Sequence, residues 1–388
     1  MQFEVIGVGG AGCRIASAIR AAEPADYPFV GDAFAFDTDT EDLAANAEIP
    51  ETHRHRYGHT TDDGLEGDVE RGFEFGREHA DELSRALDEG RPAASDGFLV
   101  AVGLGGATGG GTVPELVRQL RREYDKPVYV LATLPADREF VRTDADPAST
   151  GVKRSDDGPP RPYAAANAIA TLEALDGLAN AVVVFDNEEW IRRGESLEEA
   201  RDRLNREFAT RVVAAFAACS DATADAAAAT SVVDGNDLRR VFGDTSDVAT
   251  IGYGEQEVET GGGSRFGLGL FGKKSEPDVE ASAAIRAVET TINKALRGKL
   301  TLECDRDSAE RGLLVVGGPP AWLDRRAVAD GQRALQSTID SQTAVGGDAP
   351  RPDGDAVFAA VVLAGIEANR RSDELREWVQ NNWKSADR

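Results

Sequence analysis

Cysteine is scarce in this chain: three in 388 residues, Cys13, Cys219 and Cys304, far apart and without a CxxC pair. Such usage points to cytosolic residence, and no catalytic partner motif accompanies any of the three. Positive charge is short as well, with 43 Lys and Arg against 69 Asp and Glu and a formal net charge of −26. That balance argues against a nucleic-acid partner, whose phosphate backbone demands basic patches, and against an anionic membrane surface. Long apolar runs are missing: nothing approaches the roughly 20 residues a bilayer-spanning helix needs. The opening "MQFEVIGVGG" runs straight into a strand, so no signal peptide and no direct membrane insertion are expected.

The acids are spread along the whole chain, Arg outnumbers Lys, and Met, Ile and Lys are rare while Ala, Gly, Asp and Glu abound. This is the compositional style of salt-loving archaea that keep concentrated salt in the cytoplasm. Short screening lengths there weaken the self-repulsion of so acidic a protein. A hydrophobic fraction of 41% makes the chain globular, and its length suits two domains with separate cores.

Glycine is what the chain does have, 41 in all, and the stretch "GLGGATGGGT" at 103–112 holds six in ten residues. A dense run persists where the backbone takes positive φ or something must approach its amides closely. "SDGFLVAV" before it reads as a buried strand and "TVPELVRQLRREY" after it as an amphipathic helix, with Pro114 in its first turn. A strand, a glycine loop and a helix N-terminus together present amides and a positive dipole end to an anion. The plainer alternative is a tight glycine turn without a ligand.

Apolar runs alternate with helical patterns through the first half: "FEVIGV", "CRIASAIRAA", "DAFAF", "ERGFEFGREHADELSRALDE", "GFLVAV", "VPELVRQLRREY", "PVYVLATL", "AAANAIATLEAL", "AVVVF". The alternation predicts an α/β fold with a parallel, Rossmann-like sheet covered on both faces, with ligands at the C-terminal strand ends. Residues 196–220 read as one long helix opened by Ser196 and Glu199, a capping-box pattern. The polar stretch "DATADAAAATS" behind it reads as a loop. From Val248 onward a smaller α/β unit is expected, with strands "VATIGYG", "KLTLEC", "GLLVVGG" and "AVFAAVVLAG", helices near 279–296 and 322–338, and a short terminal helix in "SDELREWVQNNW". The excursion 261–278 reads as a connection, with a partner-binding or membrane-touching loop as the alternative.

Gly7, Gly9 and Gly12 in "GVGGAGCR" fit GxGxxG after the first strand, and "FAFDTD" supplies Asp37 or Asp39 as the acid a dinucleotide site wants. An NAD(P)-linked oxidoreductase is therefore one reading. The second glycine loop argues against it, since two loops on neighbouring strand ends suit one polyphosphate held from two sides. No Walker A loop and no kinase signature is present, and neither glycine loop carries a Lys, so backbone amides must do most of the gripping.

"GGATGGGTVPE" resembles the tubulin-signature loop of the tubulin/FtsZ superfamily, and "IGVGGAGCRI" is similar to the first phosphate loop of FtsZ. "FDTDTEDL" resembles the FtsZ segment NTDxQxL, and "LNREFATRVV" resembles the central helix of tubulins and of the archaeal CetZ group. The resemblance implies GTP or GDP with Mg2+ as the ligands. It places Gly9, Gly10, Ala11, Gly12 and Arg14 along the first phosphate loop and Gly105, Gly106, Ala107, Thr108, Gly109 and Gly110 around the outer phosphates. It gives Asp39 a part in positioning magnesium or its waters, and sets Glu139 at the ribose with Arg142 nearby. Asn187 and Asn205 would read the guanine edge, for which an amide supplies both donor and acceptor, and Arg201 would stack on the base by its planar guanidinium. No resident protein-bound metal site is implied.

In "VVDGNDLRRVF", Asp234 and Asp237 resemble the D-x-x-D pair of the FtsZ catalytic loop, which reaches the nucleotide of the next subunit. The family organisation would then be a GTP-binding domain over 1–195, a central helix and catalytic loop over 196–237, an activation domain over 238–370 and a terminal helix or tail over 371–388. The function implied is a cytoplasmic, GTP-hydrolysing cytoskeletal protein that polymerises head to tail, with itself and possibly other tubulin/FtsZ-like chains as partners, and controls cell shape or division. A non-polymerising GTP-binding scaffold or regulator is the alternative, and a solvated acidic loop is the plain reading of the acid pair. "HRHRYGH", with His53, His55 and His59, reads as a surface loop rather than a metal site, and Trp190, Trp322, Trp378 and Trp383 as packing residues.

Overall fold

The computed structural model describes residues 1–58, 65, 67–141, 161–220, 233–260, 279–341, 343–366 and 369–383. The strand-like runs form β1 (Phe3–Val8), β2 (Val30–Asp37), β3 (Arg54–Arg56), β4 (Gly97–Gly103), β5 (Val128–Leu134), β6 (Ala181–Asp186), β7 (Asp247–Glu257), β8 (Arg311–Gly318), β9 (Ala344–Pro350) and β10 (Ala356–Ala364). They make one sheet in the order β3-β2-β1-β4-β5-β6-β7-β10-β8-β9. Pairing is parallel from β3 to β7, antiparallel on both sides of β10, and parallel again between β8 and β9. The order reverses between β1 and β4, and at such a switch point the diverging loops leave a crevice at the C-terminal strand ends.

The helices are α1 (Gly9–Ala22), α2 (Thr40–Ala44), α3 (Val69–Ala86), α4 (Ala107–Glu123), α5 (Asp137–Phe140), α6 (Ala164–Leu175), α7 (Asn187–Trp190), α8 (Leu197–Phe216), α9 (Gly235–Phe242), α10 (Ala281–Arg297), α11 (Arg325–Thr338) and α12 (Arg370–Trp383). Successive strand residues point to opposite faces, so Phe3, Val5, Tyr129 and Leu131 share a core with α1 and α8, including Ile15, Phe208 and Phe216. Ile6, Val8, Val100 and Val130 join a second core with α3, α4 and α6. A third core fills the far end, where Val288 and Ile292 of α10 meet Leu314, Val316 and Val361. Ser196 and Glu199 form the expected reciprocal cap on α8, and a 3-10 turn over Ala217–Cys219 ends that segment.

Several elements depart from expectation. Pro114 lies inside α4, because the helix already starts at Ala107 and winds the glycine run into its first turns. Within that run Gly111 packs directly on Gly72 of α3, a contact any side chain would block. "KLTLEC" forms no strand: Thr301 instead donates its N–H to Ile251 O (3.0 Å) and Leu300 makes an isolated bridge to Gly252. β9, with Gly346, Gly347 and Asp348 inside it, carries little strand propensity and was not expected. In "HRHRYGH", Arg54–Arg56 pairs with β2, and the rings of His53 and His55 stack on Phe34 (4.3 Å) and Phe36 (5.4 Å). His59, Arg142, the "DATADAAAATS" stretch and the excursion 261–278 lie outside the described residues. No helix among the described residues is long and apolar enough to cross a membrane.

Candidate functional site

The crevice at the β1/β4 switch point is built by two glycine-rich helix starts that touch. Gly9 opens α1 at φ +70°, and a Cβ on it would lie 2.9 Å from Gly109 N. Conversely a Cβ on Gly109 would lie 2.6 Å from Val8 O, so glycine is required on both sides of this contact. Neither α1 nor α4 has a side-chain cap or an acid in its first turn. By contrast α2, α3, α8, α9 and α11 are all capped by Asp or Ser side chains. Two uncapped helix N-termini side by side leave orphan amides and positive dipole ends directed at one spot.

The six glycines of 103–112 divide by task. Gly103, Gly105 and Gly106 line the crevice, whereas Gly110 packs on Thr171 Oγ1 and Gly111 on Gly72; Gly109 does both, lining the crevice while meeting Val8. Asn167 fixes the loop from below, donating to Gly105 O (3.1 Å) and Gly67 O (2.7 Å).

The crevice has two connected halves that share Ala11, Arg14, Gly103 and Arg161. One, of about 230 Å³, is bordered by Gly9, Gly10, Thr38, Asp39, Gly106, Ala107, Thr108 and Gly109. The other, of about 440 Å³, is bordered by Gly105, Pro135, Glu139, Asn187, Leu197, Arg201, Leu204 and Asn205. Candidate residues from six separate stretches of the sequence thus line one crevice. Gly12 and Gly110 do not line it: Gly12 is pressed against the Ala101 carbonyl of β4 and Gly110 against α6, so both serve the packing that holds the loops.

Charge in the smaller half is mixed. Arg14 Nη1 lies 3.0 Å from Asp42 Oδ1, and the other Asp42 oxygen rests against Gly10. Asp39 caps α2 by accepting from Glu41 N (2.7 Å). Asp37 is buried, and desolvation pushes its carboxyl up to about 6 despite the N–H of Thr38 on Oδ1 (2.7 Å). Its Oδ2 is buried without a hydrogen-bond partner. In the larger half Glu139 is buried and raised by desolvation; Oε1 accepts from Ala136 N (2.9 Å) and Oε2 lies 3.4 Å from Arg161 Nη1. Asp42 and Arg161 were not expected. Asp42 sits in a string of acids where any one reads as solvated, and Arg161 follows Glu139 at a distance that no motif encodes.

Asp234 and Asp237 lie elsewhere. They cap α9 reciprocally, Asp234 Oδ1 accepting from Asp237 N (2.9 Å) and Asp237 Oδ2 from Asp234 N (3.2 Å). A Cβ on Gly235 between them would lie 2.5 Å from Met1 Sδ, and the Met1 amino group donates to Cys219 O (2.6 Å). The acid pair therefore sits at the N-terminal edge of the sheet, about 20 Å from the glycine loop at the far end of β1. One chain does not bring the pair and the crevice together. No group of three or more His, Cys, Asp or Glu suited to a metal occurs among the described residues.

Residues 2–194 match the GTPase-domain model of the tubulin/FtsZ family and residues 194–381 the C-terminal-domain model of tubulin-like CetZ. The tubulin-like protein CetZ5 of Haloferax volcanii is 32% identical over 97% of this chain and 91% of its own length. CetZ3 of the same organism is 33% identical over 97% and 91%. Among solved structures, a GTPγS-bound protofilament of CetZ2 from Haloferax volcanii superposes with a TM-score of 0.78 at 26% identity, covering all of both chains. The GDP-bound monomer of CetZ1 gives 0.76 at 27%, covering 97% of this chain and 98% of that one. The chain thus belongs to the tubulin-like CetZ proteins of the tubulin/FtsZ family, and its first half is a GTPase domain of that family.

Proposed function

We propose that this protein binds GTP and GDP in the β1/β4 crevice and hydrolyses GTP when a second copy docks head to tail, forming a cytoplasmic filament that controls cell shape or division. The observation that carries the reading is the separation of parts: phosphate seat at the C-terminal edge of the sheet, acid pair at the N-terminal edge. A copy stacked edge on edge presents Asp234 and Asp237 to the crevice, and such a heterologous contact repeats into an open filament. The bound forms of CetZ1 and CetZ2 support the ligand, and the CetZ2 protofilament supports the assembly.

The amides of Gly10, Ala11, Ala107 and Thr108 would take the phosphates, with Arg14 as a side-chain cation. Asn187 and Asn205 would pair with the guanine edge, Arg201 would cover the base, and Glu139 would accept from the ribose. Magnesium fits the smaller half: the orphaned Asp37 Oδ2 and the Asp39 carboxylate are hard oxygen donors beside the phosphate seat. When bound, the ion would neutralise charge on the phosphate oxygens. The docked copy's acids would orient the attacking water and accept its proton.

The test is GTP turnover against protein concentration in concentrated KCl with magnesium, for the wild type and Asp237→Ala. Specific activity should rise cooperatively with concentration, and the variant should bind GTP but turn it over at least about a hundredfold more slowly. Turnover per chain independent of concentration would contradict a shared site.

A further inference from the structure

Behind the larger half of the crevice, a single guanidinium from the last helix reaches both of the strand ends that carry its polar groups. Arg371 of α12 is 8% exposed at its side chain. Its Nη2 donates to Pro135 O (2.7 Å) and Nη1 to Asp137 Oδ1 (2.7 Å). Its Nε lies 3.3 Å from Asp186 Oδ1 on the other side. Pro135 lines the crevice and Asp137 begins the turn that bears Glu139. Asp186, itself buried, caps the turn that begins with Asn187 through the N–H of Glu188 (3.1 Å).

The two walls touch through Glu188, which accepts from Asp137 N (2.9 Å). β5 and β6 are paired in the sheet as far as Leu134 and Asp186. Beyond the ladder the planar guanidinium links the two ends, hydrogen-bonded to a carbonyl and a carboxylate on the β5 side and ion-paired, without a hydrogen bond from Nε, to Asp186 on the β6 side. A buried ion pair is poor value as a source of stability, because its desolvation offsets its attraction; its geometric selectivity is what it offers. Trp378 of the same helix meets Phe140 edge-on at 4.8 Å, so α12 is seated on this turn by packing as well as by charge.

We propose that Arg371 is a positioning residue for nucleoside recognition, holding the Pro135–Glu139 and Asp186–Asn187 walls at the separation that lets Glu139 and Asn187 engage one ligand together. The proposal rests on the guanine-nucleotide reading above. It couples the C-terminal end of the chain to base selection, although Arg371 touches no ligand.

The test compares GDP and ADP affinity for the wild type, Arg371→Met, Arg371→Lys and Asp137→Asn, with thermal unfolding as the control. Arg371→Met should lose about tenfold or more in GDP affinity and most of the preference over ADP, since a displacement of an ångström at a positioned group has effects of this size. Arg371→Lys, which keeps the charge but not the fork, should fall between. Unchanged GDP affinity and preference in a folded Arg371→Met protein would overturn the proposal. If that variant does not fold, Asp137→Asn decides by the same criterion, because Asp137 is half exposed and its loss leaves the other two contacts in place. A wild type that binds no GDP would contradict the nucleotide reading itself, and the clamp with it.

Discussion

Asp37 is kept in the fold at a cost. Its carboxyl is raised from an ordinary 3.8 to about 6 by burial, so at neutral pH the folded chain holds an ionised group that would be better solvated in the unfolded chain. The sign follows from linkage: the contribution to stability is intact below pH 4, where both states are protonated, and is lost as pH rises through about 6. A shift of this size corresponds to roughly 3 kcal/mol. Asp37→Asn keeps the acceptor for Thr38 N and removes the charge, though its amide brings a donor of its own to bury. We expect it to raise thermal stability at pH 7.5 by on the order of 1–2 kcal/mol, to match the wild type below pH 4, and to weaken magnesium-dependent GTP binding. Thermal unfolding across pH together with nucleotide titration checks all three. What was legible at this scale was residue type within a motif: Glu139, Asn187 and Asn205 were found in three distant strings and meet in one cavity. Arg161 and Arg371 were not legible, because an arginine's role is set by where its long side chain ends, and the partners lie 22 and more than 180 residues away in sequence.

Between α1 and α4 the glycines act in pairs. Their N-terminal turns must approach within backbone contact for both sets of amides to face one anion, and Gly109 is where α4 meets Val8 O. Gly109→Ala inserts a methyl 2.6 Å from that carbonyl and 3.1 Å from Val102 Cγ2. Overpacking of this kind costs about 1–3 kcal/mol, and the helix ends must part to relieve it. We expect GDP affinity to drop about tenfold or more in a chain that still folds, a ratio read from titration beside a melting curve. The strands and helices around this pair were readable from alternation and from the glycines themselves. The glycines were only half understood from sequence, since a run selected for helix packing against Gly72 and Thr171 looks the same as one selected for a ligand. β9 escaped because its place depends on β8 beside it, and "KLTLEC" misled because Thr301 bonds across to Ile251 in a turn instead of a ladder.

Across the whole molecule, one continuous sheet sets the distance between the crevice and the acid pair. The junction is the parallel pairing of β6 with β7, Ala181 to Asp247 through Val183 to Ala249, which carries the sheet from the GTPase-domain half into the C-terminal half. The order of the family motifs was legible along the chain, but their placement on opposite edges follows only from the topology, because sequence distance says nothing about which edge a helix start occupies. On the function proposed above, that placement would make the hydrolytic site a property of two copies.

Complementation tests this most directly. Asp237→Ala keeps a complete crevice and lacks the acid; the double variant Asn187→Ala, Asn205→Ala keeps the acid pair and loses base recognition. Each alone should hydrolyse little GTP. Mixed in high KCl with magnesium, they should recover turnover well above the sum of the separate rates, because the intact edge of one variant completes the intact edge of the other. A mixture that gives only that sum, while the wild type hydrolyses GTP, would contradict the shared site.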